Sequence, residues 1–69
     1  MRTFTISSLP EWYALSAKLR DRGYILWQSQ YMWDMPEGYH AWFWLDDKEQ
    51  IEAITHSEEV HRAIIEYKV

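Results

Sequence analysis

Cysteine is absent from this 69-residue sequence, so neither a disulfide nor a thiolate-bound metal can reinforce the fold. Stability must come from apolar packing, within one chain or against a second copy. A chain of this length removes only about 60% of the surface its unfolded form exposes, so the core is thin. The lack of cysteine also fits a reducing compartment. No apolar run approaches the roughly 20 residues of a membrane-spanning helix; the longest covers residues 41–45. Residues 1–6 alternate like a strand and lack the apolar stretch of a secretory signal. No linker, repeat or low-complexity segment divides the chain. The expectation is one cytoplasmic domain spanning residues 1–69, with no membrane partner.

A second absence concerns charge. Residues 24–45 contain no lysine or arginine, although they hold eight of the twelve aromatic residues: Tyr24, Trp27, Tyr31, Trp33, Tyr39, Trp42, Phe43 and Trp44. The net charge is −4, divided unevenly between +2 on residues 1–33 and −6 on residues 34–69. An acidic chain whose aromatic segments carry no cations is a poor match to a phosphate backbone.

Glycine and proline are scarce, with two of each, and they punctuate the elements. Phe4 and Ile6 alternate with Thr3, Thr5 and Ser7, the period of a strand with one buried face. Ser8-Leu9-Pro10-Glu11 has capping-box spacing, with proline tolerated in the first turn. The helix it opens carries Trp12, Leu15 and Leu19 on one stripe. It closes on Lys18, Arg20 and Arg22, which complement the helix dipole, and on Gly23, which supplies a left-handed stop.

Residues 24–33 read as an aromatic strand, residues 34–38 as a turn around Pro36 and Gly38, and residues 39–45 as the returning strand of an antiparallel hairpin. Asp46 or Asp47 can cap a following helix over about 47–55. Ser57 then starts another over about 58–67, with Val60, Ala63, Ile64 and Tyr67 at the spacing of a buried stripe. One bent helix is the alternative to these two. The expected fold is α+β, a two-layer β-α-β-β-α-α arrangement. It has a small three-stranded, mostly antiparallel sheet with helices chiefly on one face. Placing the third strand between the first two makes every neighbouring pair antiparallel; placing it outside the second is the other order.

Strand alternation turns the aromatic excess into a geometric problem. Tyr39, Ala41, Phe43 and Leu45 share one face of the third strand, while His40, Trp42 and Trp44 share the other. The helices can cover Phe43, Leu45, Phe4 and Ile6, leaving a second apolar face without a layer. Such a patch marks an interaction site, and tryptophan and tyrosine favour interface centres. Trp42 and Trp44 are the expected anchors, with Trp27, Tyr31 and Trp33 beside them. The function expected is a non-catalytic protein-interaction module, with homodimerisation as one form. Stacking of nucleic-acid bases or a small ligand on the sheet is an alternative.

Asp46, Asp47, Glu49, Glu52, Glu58 and Glu59 form an acidic stretch opposed only by Lys48. It can be a solvated helix face, or a surface that imitates nucleic-acid charge and occupies a DNA-binding partner, as small phage and mobile-element proteins do by analogy. No catalytic constellation is legible among His40, His56, His61, Asp34, Glu37, Asp46 and Asp47. His56 and His61 stand five apart, which does not put them on one helix face as metal ligands. No cofactor or metal is expected.

Overall fold

A computed structural model of the chain describes residues 2–30, 38–46 and 49–68. Its elements run β1 (Arg2–Thr5), α1 (Leu9–Arg22), β2 (Ile25–Gln30), β3 (Tyr39–Leu45), β4 (Glu49–Thr55) and α2 (Glu58–Ile65). The strands form one mixed sheet in the order β1-β4-β3-β2. The β2–β3 and β3–β4 pairs are antiparallel, whereas β1 lies parallel to β4.

The expected helix over 47–55 is therefore a strand, and the sheet has four strands instead of three. Ile51, Ala53 and Thr55 are buried and alternate with half-buried Gln50, Glu52 and Ile54. Glutamate, glutamine and alanine favour a helix locally, but hydrogen bonding to β3 on one side and β1 on the other overrides that preference. Asp46 adopts φ 56° in a turn instead of capping a helix, a left-handed conformation that aspartate tolerates better than most residues. The third strand does lie between the first two, as in the first of the expected orders, but β4 is inserted between β1 and β3. The parallel β1–β4 pair also replaces the expected all-antiparallel neighbours.

Helix α1 begins at Ser8, as its spacing implies, but neither bond of the expected capping box forms. Ser8 makes no side-chain bond to the helix amides. The Glu11 carboxylate accepts instead from the Ser7 amide at 3.2 Å and the Ser8 hydroxyl at 3.1 Å. The far end matches the expected stop: Gly23 sits at φ 87°, its amide donates to the Arg20 carbonyl, and the Tyr24 amide donates to the Leu19 carbonyl. That pair of bonds is the Schellman arrangement, sealed by contact between apolar groups on either side of the glycine. Ser57 caps α2, accepting from the Val60 amide at 3.2 Å.

Both helices lie against the Phe43 face. Trp12 of α1, Phe43 of β3 and Tyr67 after α2 form a mutual ring cluster with centroids 5.1–6.1 Å apart. Ile6, Leu19, Tyr24, Ala41, Ile51, Ala53, Val60 and Ile64 join it in the buried core, with Phe4, Leu15 and Leu45 partly buried against it. Tyr67 also donates to the Tyr24 carbonyl at 2.7 Å. Arg20 bonds the Lys68 carbonyl at 2.9 Å and lies 5.1 Å from the Tyr67 ring centre, which ties the C-terminal segment to α1. Among the described residues no helix is long and apolar enough to cross a membrane.

Candidate functional site

The sheet face away from the helices is built by register. His40 pairs with Ile54, Trp42 with Glu52 and Trp44 with Gln50 across β3 and β4. Thr3 stands beside Glu52 on β1, and Ile25 stands opposite Trp44 on β2. The β2–β3 register shifts between Leu26 and Gln28, which makes Trp27 the extra residue of a bulge. Bulges at a sheet edge re-aim a side chain, and β2 is an edge strand. The Trp27 ring lies flat on Trp44, with centroids 5.0 Å apart and planes inclined by 19°.

The sequence-derived anchors thus divide. Trp27 and Trp44 meet directly. Trp42 shares their face but stacks on His40 at 5.8 Å, and both Trp42 and Trp44 are half-buried. Trp27 is the most exposed of the three at 56%, next to Ile25 at 52%. Tyr31 and Trp33 lie outside the described residues, as do Asp34, Glu37 and Asp47. Tyr39 belongs to the other face, where it stacks on His61 of α2 at 4.3 Å.

One polar device sits in the aromatic face. His40, only 7% exposed, donates from Nδ1 to the Glu52 carboxylate at 2.7 Å, and Glu52 accepts in turn from the Thr3 hydroxyl at 3.3 Å. This hydrogen bond compensates the burial of the carboxylate. His40 Nε2 and Trp44 Nε1 are buried without a hydrogen-bond partner among the described residues. Sequence reading missed the His40–Glu52 pair because it placed Glu52 on a helix. Had β4 been read as a strand, its register would have brought Glu52 close to β3.

The acidic residues do not share one surface. Glu52 is in the aromatic face. Glu49 accepts from the Tyr24 hydroxyl at 3.0 Å and lies 3.7 Å from Arg22. Burial, reinforced by the Glu49 hydrogen bond and charge, pushes the Tyr24 phenol above its ordinary value. Glu58 pairs with Arg62 at 3.2 Å within α2. Glu59 and Asp46 are exposed. Of the other histidines, His56 is exposed and His61 is buried beneath Tyr39; burial holds the His61 imidazole below its ordinary value, partly opposed by Glu58. Among the described residues no three histidine, aspartate or glutamate side chains converge as a metal-binding group.

The fold and face define a small α+β domain with a helix-covered core and an aromatic second face. No protein-family model matches the chain, and neither a curated protein nor a solved structure matches it.

Proposed function

We propose that the chain is a non-catalytic protein-interaction domain that uses its aromatic sheet face, with a second copy of itself as the partner. The observation that carries this reading is the exposed Trp27 ring stacked on Trp44 at a sheet edge, beside exposed Ile25. The polar groups of the face are compatible with a second copy. The only carboxylate at the described face positions, Glu52, is hydrogen-bonded to His40 and to Thr3, so two such faces can meet with that carboxylate already satisfied. A four-stranded face with strands of up to seven residues measures about 19 by 23 Å, or about 440 Å² in flat projection. A standard interface takes about 800 Å² from each partner. The dimer is therefore concentration-dependent, not obligate.

Sedimentation velocity over a dilution series tests this, comparing the native chain with Trp27→Ser. The native chain should pass from dimer to monomer on dilution, and the variant should remain monomeric with stability changed by about 1 kcal/mol or less, because the lost ring is mainly exposed. A native chain that stays monomeric at every concentration overturns the proposal. Base stacking would require phosphate-directed cations near the rings. No lysine or arginine occupies residues 24–45, and this supports a protein partner over nucleic acid.

A further inference from the structure

A groove of about 560 Å³ lies where the last turns of α1 return to the start of the parallel strands β1 and β4. The topology brings there residues that sequence spacing keeps apart. Phe4, Leu15, Leu19 and Ile51 supply an apolar lining. Arg2, Lys18 and Arg22 stand around it from two different elements. Its size falls within the range of small-molecule sites, about 300–1,000 Å³, and such sites combine apolar walls with a few placed polar groups.

The charge pattern specifies the occupant. Helix-end complementarity explains Arg20, which is bonded to the Lys68 carbonyl and the Ser16 hydroxyl. It does not explain why Arg2, from β1, joins Lys18 and Arg22. The groove carboxylates are Asp21 and Glu49, and Glu49 is engaged by the Tyr24 hydroxyl and Arg22. Arg2 lies over the Phe4 ring at 5.3 Å, and neither Arg2 nor Lys18 has a carboxylate partner among the described residues. The lining therefore carries one excess positive charge on a chain of net charge −4. We infer that this groove binds a soluble small molecule with an apolar body and a single anionic head. The body lies on Leu15, Leu19 and Ile51, and the head faces Lys18 and Arg2.

Octanoate is the probe, followed by methyl NMR of the full chain, with 1-octanol and octylammonium as matched bodies of different charge. Octanoate should shift the Leu15, Leu19 and Ile51 methyl signals and bind about tenfold more tightly than octanol, with octylammonium weaker still. Lys18→Gln should weaken octanoate by about threefold, and Lys18→Gln with Arg2→Gln by about tenfold, the scale of exposed charge contacts. Octanol binding should be unchanged in both variants, whose altered side chains are exposed. Equal affinity for octanoate and octanol would overturn the inference. So would methyl shifts confined to Ile25, opposite Trp44 at the aromatic stack, no saturable shift, or association with anionic lipid vesicles in place of octanoate.

Discussion

Two glycines with nearly the same φ should respond very differently to alanine. Gly23 has φ 87° and Gly38 has φ 88°, so each substitution forces an L-residue into the left-handed region at about 1–2 kcal/mol. Their surroundings differ. A β-carbon at Gly23 meets nothing closer than the Leu45 side chain at 3.9 Å, an ordinary contact. At Gly38 it would lie 2.7 Å from the Thr55 carbonyl oxygen and 3.0 Å from His56 Nδ1. The backbone carbonyl belongs to the end of a central strand and cannot rotate aside, which adds about 1–3 kcal/mol of overpacking. Gly38→Ala should thus cost about 2–5 kcal/mol against a total stability of about 3–10 kcal/mol for a chain this long. Urea unfolding followed by far-UV circular dichroism measures both variants. With a slope near 1 kcal/mol/M, the midpoint should fall by about 1–2 M for Gly23→Ala and by roughly 2 M more for Gly38→Ala. Equal losses in the two variants would refute the steric reasoning and the approach of residue 38 to β4.

Three further outcomes follow from the buried rings. His61 is held below its ordinary imidazole value by burial, so below about pH 6.5 the unfolded chain binds a proton that the folded ring resists. Its contribution is complete above that pH and is lost as pH falls toward the folded value; urea midpoints measured from about pH 7.5 to 5.5 should decline, and less steeply in His61→Phe. Tyr67→Phe removes the bond to the buried Tyr24 carbonyl and should lower stability by about 1–2 kcal/mol in the same assay. The Tyr24 and Tyr67 phenols are both raised by burial, so an alkaline titration at the phenolate absorbance should show a component from these two side chains that ionises later than in the unfolded chain. Unfolding in urea should erase that difference.

The legible parts of the fold were those written in local chemistry. Gly23 and Ser57 end and begin helices through bonds to residues within a few positions, and the alternation on β3 divides Phe43 from Trp42 and Trp44. Residues 49–55 were not legible because their pattern serves two periods. Ile51 and Ile54 fit a helical stripe, while Ile51, Ala53 and Thr55 fit a strand face. Only pairing with β3 and β1, one of them at the far end of the chain, decides between them. The His40–Glu52 bond inherits that ambiguity. The cationic groove was hidden for a related reason, since Arg2 and Lys18 come to line one groove only once β1 lies parallel to β4 and α1 has returned across the sheet. Trp27 was placed among the interface rings by alternation, but its role as the bulged, most exposed ring depends on a register shift that no local pattern encodes.

Half-filtered NMR on a mixture of isotopically labelled and unlabelled chains addresses the aromatic face most directly, because it reports only contacts between separate copies. Intermolecular signals are expected at Ile25, Trp27 and Trp44 and should fade on dilution. Signals centred instead on Tyr13 of α1 and Ile65 of α2, the exposed apolar residues of the helical layer, or no intermolecular signal at concentrations approaching a millimolar dissociation constant, about −4.1 kcal/mol, would contradict the proposed dimer.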